Sequence, residues 1–189
     1  MMDFEQDIDK CLQVLHTGGL ILYPTDTVWG IGCDATNEAA VAKVYQLKKR
    51  SDQKALIVLV PDEREILKYV SGPDLSLFDY LQEQVKPTTV VYEGAIGFAD
   101  NLVSEDGSIA IRICEEPFCK HLLKRFRKPI VSTSANISGQ PAAPHFTAIS
   151  EEIKQGVNYV VRYRQEDEVK AQPSKLIRWE GGEVVVLRP

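Results

Sequence analysis

The sequence lacks the short signatures of several common enzymes. Gly-x-Ser-x-Gly, His-Glu-x-x-His and Gly-x-x-x-x-Gly-Lys-[Ser/Thr] are all missing, which removes a serine elbow, a helical zinc-protease site and an ordinary P-loop. Histidine is scarce: the 3 in the chain, His16, His121 and His145, lie in separate segments. Cys11, Cys33, Cys114 and Cys119 show neither Cys-x-x-Cys nor Cys/His zinc spacing, so they read as buried, reduced thiols of a cytoplasmic protein. No apolar run reaches the ~20 residues that cross a bilayer, so no membrane association is expected. The acidic start, Met1 to Asp7, has no apolar core of a signal peptide. An excess of basic charge is also missing. With 22 Lys+Arg against 27 Asp+Glu the net charge is -5, which does not favour a generic polyanion binder.

What is present is an ordinary globular composition, 44% hydrophobic and 26% charged over 189 residues. That length fits one domain, and such a domain buries roughly 70% of the surface of its unfolded chain. Phe4, Ile8, Cys11, Leu12 and Leu15 recur at helical spacing, and Gly18-Gly19 stops that helix. Leu20 to Tyr23 reads as a short buried strand. Thr36 or Asn37 caps a second helix with Ala40, Val41, Val44 and Leu47 on its apolar face. Leu56 to Val60, Thr88 to Tyr92, Ser108 to Ile113, Ile130 to Ser132 and Tyr159 to Val161 read as strands. Pro61-Asp62 opens a helix through Val70, Leu75 to Gln84 forms another, and Phe118, Leu122, Leu123 and Phe126 mark a third. Gly181-Gly182 joins Lys175–Trp179 to Val184–Arg188 as a hairpin. Helices alternating with strands, closed by a hairpin, predict an α/β fold with a mixed sheet. Gly94–Glu105 and Gly139–Phe146 read as loops.

Three segments carry the polar chemistry. Pro24-Thr25-Asp26-Thr27 follows the first strand, where open α/β sheets bind ligands, although the same residues also suit a plain turn. Lys48 and Arg50 close the second helix, with Lys54 just before the next strand. Cations there either complement the helix dipole in solvent or enter a cavity to grip a triphosphate. Ser132, Ser134 and Asn136 alternate after an apolar run, which places them on one side of an extended backbone, or else they form an Asx-type turn. Arg112 interrupts the apolar strand Ile109–Ile113, so it faces solvent, a carboxylate or a bound anion. Ser108, Ser174 and Arg188 flank the same region. The residues by themselves point to an anion-binding α/β domain, a nucleotide enzyme among the options.

Taken in order, the motifs resemble those of the YrdC-like family of threonylcarbamoyl-AMP synthases. They are Gly-Gly-Leu-Ile-Leu-Tyr-Pro-Thr-Asp-Thr-Val-Trp-Gly-Ile-Gly-Cys-Asp-Ala at 18–35, Leu-Lys-Lys-Arg-Ser-Asp-Gln-Lys-Ala-Leu-Ile-Val-Leu-Val at 47–60, Ile-Ala-Ile-Arg at 109–112, Ser-Thr-Ser-Ala-Asn-Ile-Ser-Gly at 132–139, Pro-Ser-Lys at 173–175 and Val-Leu-Arg-Pro at 186–189. The resemblance implies a single domain over 1–189, without the extra C-terminal domain of longer relatives, and a twisted mixed sheet around a deep, positively charged cavity. It implies that L-threonine, bicarbonate and ATP give threonylcarbamoyl-AMP and pyrophosphate. A downstream tRNA threonylcarbamoyl transferase complex would then modify adenosine beside the anticodon. It implies catalytic roles for Lys48, Arg50, Ser134 and Asn136, and ATP contacts at Arg50, Lys54, Ser108, Ser134, Ala142 and Arg188. Threonine contacts would fall on Thr27, Arg112, Ser132 and Ser174. Mg²⁺ would be held mainly by the ATP phosphates. The chain departs from the family pattern at Trp29 and Ala55, where the family often has Tyr and Pro, at Leu59, where some members place a substrate-contacting His, and at Lys175, where the Pro-Ser-Thr pattern has Thr. The basic clusters at 43–54 and 120–128 raise the alternative of a YrdC-like protein that binds tRNA or double-stranded RNA without synthase activity. A further alternative is the carbamoyl-adenylate chemistry of hydrogenase-maturation proteins.

Overall fold

The computed structural model describes residues 4–51 and 56–189. Helix α1 (Glu5–His16) buries Ile8, Cys11 and Leu15. It ends where Gly18, at φ +73°, turns the chain. The amides of Thr17, Gly18 and Gly19 bond back to the carbonyls of Val14 and Leu15, so the glycine supplies the left-handed residue of a helix stop. Strand β1 (Ile21–Tyr23) follows, then β2 (Gly30–Gly32). Helix α2 (Glu38–Lys48) is capped by Asn37, whose side chain accepts from the Ala40 amide at 3.0 Å. After β3 (Ile57–Val60), α3 (Glu63–Tyr69) is capped by Asp62, and α4 is Ser76–Gln82. Strands β4 (Thr88–Tyr92) and β5 (Ile109–Ile113) precede α5 (Pro117–Phe126). Strand β6 (Ile130–Ser134), helix α6 (Glu151–Gly156), β7 (Tyr159–Val160) and the hairpin β8 (Lys175–Glu180) and β9 (Glu183–Arg188) complete the order.

The strands form one open sheet in the order β7-β1-β2-β6-β3-β5-β4-β8-β9. The pairs β1–β7, β3–β5 and β4–β8 are parallel, and the other five are antiparallel. The mixed α/β sheet anticipated from the alternation and the terminal hairpin is therefore the fold. Strands β3, β5 and β6 are almost entirely buried, as continuous apolar runs covered on both faces should be. On one flank α1 lies against α5, with the Phe4 and Phe118 rings edge to face at 5.5 Å. The buried carboxylate of Asp7 accepts from the Tyr159 hydroxyl and from the amides of Arg162 and Tyr163, tying α1 to the chain after β7. All four cysteines are buried free thiols. No described helix is long and apolar enough to cross a membrane.

Two elements escape the sequence pattern. Strand β2 reads Gly-Ile-Gly, and glycine is a poor strand former. Its glycines answer close neighbours: a Cβ on Gly32 would sit 2.5 Å from the Tyr23 ring and 2.8 Å from the Val131 carbonyl oxygen. Tyr23 reaches across that gap to donate to the Val131 carbonyl at 3.0 Å. Helix α6 is short and buries only Ile153, so it leaves no periodic trace. The helix after Pro61-Asp62 also stops one residue early. Val70 is extended and bridges to Ala95, while Leu67, placed on the buried face by the pattern, is 50% exposed.

Candidate active site

A cavity of about 400 Å³ opens on the face of the central strands. Three arginines line it: Arg50 after α2, Arg112 in β5 and Arg188 in β9. Hydroxyl residues Thr27, Ser132, Ser134 and Ser174 line it as well, together with Ala142. Ile57, Val91, Ala110 and Leu176 supply an apolar wall. No carboxylate appears in this lining, so the described walls favour an anionic ligand.

Each polar residue arrives by a distinct local device. The loop after β1 is a compact turn: Thr25 Oγ1 accepts from the Thr27 amide at 3.0 Å and donates to the Val28 carbonyl at 2.7 Å. Behind it, Cys119 Sγ donates to the Pro24 carbonyl and Arg164 donates to the Thr25 carbonyl. The turn reading of this segment therefore holds together with its place at the cavity. Ser132 faces β2, where only glycine leaves room: a Cβ on Gly30 would come within 3.0 Å of Ser132 Oγ.

Arg112 is 3% exposed and well partnered. Its Nε and Nη2 donate to Asp26 Oδ1 at 3.2 and 3.0 Å, and Nη2 donates to Thr27 Oγ1 at 3.2 Å. Its Nη1 has only two long bonds, to Thr89 Oγ1 and Ser174 Oγ, both 3.4 Å. The cation inside the apolar strand thus meets a carboxylate of the protein and also lines the cavity. Ser174 joins several parts: its hydroxyl pairs with Thr89 at 2.7 Å, and its carbonyl accepts from Arg188 Nε and Nη2 at 3.1 and 2.9 Å. Burial, and then the nearby Arg112 charge, pull the Arg188 pKa down. Burial also pulls the Arg50 pKa down.

Lys48 behaves differently from a ligand-facing cation. It is 2% exposed, and its Nζ donates to the carbonyls of Ser134 at 2.5 Å and Asn136 at 2.7 Å. The Ser138 amide returns a bond to the Lys48 carbonyl at 2.9 Å. Burial first, and the Arg50 charge second, lower its pKa to about 8. Lys49, at φ +51°, turns the chain and points out to an ion pair with Glu152, which leaves Arg50 to reach the cavity. The two halves of the Lys-x-Arg and Ser-x-Asn pattern therefore meet, but the lysine holds backbone rather than lining the cavity.

Asn136 does not share a side with Ser132 and Ser134. Strand β6 ends at Ser134, and the Asn136 side-chain Nδ2 donates locally to the Gln140 carbonyl at 2.7 Å and the Ile137 carbonyl at 3.2 Å. The extended-backbone reading fails at that residue because the backbone is no longer extended. Ser108 lies off the cavity too. Its hydroxyl donates to Asp106 at 2.6 Å, and it lines a separate cleft of about 860 Å³ that shares Val91 and Ala110 with the cavity wall. Lys54 and Ala55 lie outside the described residues. Leu59 is fully buried beside Arg112 in the sheet, Lys175 turns away to the Tyr80 hydroxyl at 2.8 Å, and Trp29 packs on Phe146. Asp26 is the residue that sequence reasoning gave no role of its own. Its place beside Thr27 was the one available signal.

Four surface cations of the two basic clusters form ion pairs: Lys49 with Glu152, Lys120 with Glu115, Arg125 with Asp9 and Lys128 with Asp34. Lys43 donates to the Gly18 carbonyl. A cation held by a carboxylate of the protein offers less to a nucleic-acid backbone.

Known proteins are similar to this chain in sequence and in fold. Threonylcarbamoyl-AMP synthase of Vibrio campbellii is 33% identical over 184 residues, covering 93% of this chain and 94% of that protein. The structure of P. abyssi Sua5 complexed with L-threonine superimposes with a TM-score of 0.86 at 21% identity over 98% of this chain, which spans only 54% of that longer one. E. coli YciO matches with a TM-score of 0.83 at 20% identity, over 97% of this chain and 88% of its own. Residues 13–189 match the family model Sua5/YciO/YrdC, described as "Telomere recombination", and the chain therefore belongs to the Sua5/YciO/YrdC family.

Proposed function

We propose that this chain joins L-threonine, bicarbonate and ATP into threonylcarbamoyl-AMP with release of pyrophosphate. The observation that carries the reading is the cavity, where Arg50, Arg188 and Ser134 meet Arg112, Thr27, Ser132 and Ser174 within about 400 Å³. The first group suits phosphate oxygens and the second a small amino acid with a hydroxyl. Relatives that carry the synthase name over nearly the whole chain support it.

In this reading the threonine carboxylate lies on the Nη1 end of Arg112, and the hydroxyls of Thr27, Ser132 and Ser174 read its polar groups. A site that hydrogen-bonds a substrate hydroxyl discriminates strongly against analogues lacking it. Bicarbonate takes up a proton and loses water to give CO₂, and the threonine amine adds to that carbon and releases a proton in return. A carbamate oxygen then attacks the α-phosphorus, and the bond to the leaving pyrophosphate breaks. Arg50 and Arg188 hold the negative charge that moves onto the departing oxygens, and Arg50 binds two oxygens at once. Positioning and electrostatics carry such a reaction, without a protein nucleophile. Lys48 and Asn136 act by shaping the loop that presents Ser134. Ala142 forms part of the wall beside the nucleotide, Ser108 serves it from the adjoining cleft, and Lys54 would join the phosphate side. Mg²⁺ accompanies ATP through phosphate oxygens and water, consistent with a cavity lined by neutral and cationic groups. The product would pass to a tRNA threonylcarbamoyl transferase, and a cytoplasmic site of action fits that step. Residues 1–189 form one functional unit in this proposal.

The test is pyrophosphate release from ATP. The expected result is release that needs threonine and bicarbonate together, with the mixed anhydride seen by mass spectrometry. Release independent of threonine would overturn the reading.

A further inference from the structure

Three guanidinium groups share one small cavity, and that of Arg112 carries a carboxylate of the protein. Asp26 accepts two of its five N–H bonds through one oxygen. The Asp26 side chain is 15% exposed and lines a neighbouring cleft rather than the cavity itself. The turn that carries it is fixed from three directions, by Thr25 within it and by Cys119 and Arg164 behind it. Arg112 therefore keeps one edge bound to Asp26, while the Nη1 end, with its two 3.4 Å bonds, is left for a ligand.

We infer that Asp26 is a positioning and specificity-determining residue that makes the Arg112 subsite select a zwitterionic amino acid over simple anions. The inference rests on the proposed threonine carboxylate at Arg112. A bare guanidinium in a low-dielectric wall attracts any anion, including a free carboxylate, a phosphate or the tail of the nucleotide. A carboxylate bonded behind it cancels most of the net charge but leaves the donors in place. The subsite then gains little from a ligand that brings only negative charge. It keeps its hydrogen bonds for one whose own ammonium balances its carboxylate.

The test uses the full chain and 3-hydroxybutyrate, which has the carboxylate and hydroxyl of threonine without the amine. Wild type, Asp26→Asn, Asp26→Glu and Arg112→Ala are compared for threonine KM, ATP KM and the inhibition constant of 3-hydroxybutyrate. Asparagine keeps an oxygen for Arg112 but removes the charge. The expected result in Asp26→Asn is an unchanged ATP KM and a fall of about tenfold in the ratio of the 3-hydroxybutyrate inhibition constant to the threonine KM. Asp26→Glu restores the ratio toward wild type. A merely structural role would lower the melting temperature without moving that ratio. Asp26→Ser serves the same purpose if Asp26→Asn melts below the assay temperature. A wild-type ratio in the neutral variants, with a raised threonine KM in Arg112→Ala, overturns this inference alone. A wild-type threonine KM in Arg112→Ala overturns the carboxylate assignment and this inference with it.

Discussion

Replacing Lys48 by methionine separates two roles that its sequence position leaves mixed. Methionine keeps the length and apolar stem but removes the ammonium. The Ser134 and Asn136 carbonyls then lose their donor at 2.5 and 2.7 Å in a site where the lysine is only 2% exposed. The Asn136 carbonyl left without this donor costs about 1–3 kcal/mol, and the Ser134 carbonyl keeps the Asn136 backbone amide at 2.9 Å, so its loss is smaller. Relief of the buried charge offsets part of this, for a net loss of about 1–3 kcal/mol at neutral pH. For a chain of this size that lowers the melting temperature by about 2–12 °C. The loss should depend on pH. The Lys48 pKa is about 8 in the folded protein against 10.5 ordinarily, so between those values the unfolded chain binds more protons. Stability contributed by this group rises with pH across that window, by up to about 1.4 kcal/mol per unit. Below about pH 8 both states are protonated and the contribution is flat. The neutral amine still donates to the two carbonyls, so the gap between wild type and Lys48→Met should widen from pH 8 to pH 10. Thermal unfolding of both proteins at matched pH values measures it. An unchanged melting temperature with a raised ATP KM would refute the reasoning, since that is how a phosphate-gripping lysine behaves.

Two further outcomes follow from the geometry. Arg50→Ala should reduce pyrophosphate release by about 100- to 1000-fold, as removal of a charge-stabilising donor does elsewhere, while its melting temperature stays closer to wild type than that of Lys48→Met. Gly30→Ala places a methyl 3.0 Å from Ser132 Oγ and should raise the threonine KM several-fold with little change in the ATP KM, which a two-substrate kinetic series would reveal.

Much of the fold was legible because apolar periodicity and turn residues agree over long segments. Phe118, Leu122, Leu123 and Phe126 mark α5 without ambiguity, and Gly181-Gly182 marks the last hairpin. Strand β2 was not legible, since its cause is the closeness of Tyr23 and Val131, a contact between distant residues rather than a local preference. Thr27, Arg50, Arg112, Ser132, Ser134, Ser174 and Arg188, singled out in the sequence, line one cavity. The aim of each side chain was harder to read. A lysine at a helix end is one charge in a sequence, and only the fold shows that its partners are carbonyls 86 and 88 residues away. Ser108 was likewise captured by a neighbour two positions back, Asp106.

Ser174 touches both arginines that bracket the cavity, Arg112 through its hydroxyl and Arg188 through its carbonyl. A molecule that draws either guanidinium toward itself alters what the other has left to bind. In the proposed reading, occupancy at the amino-acid end and at the nucleotide end then shares a single joint, and thermodynamic reciprocity demands that any effect of one substrate on the other's affinity be returned by the same factor.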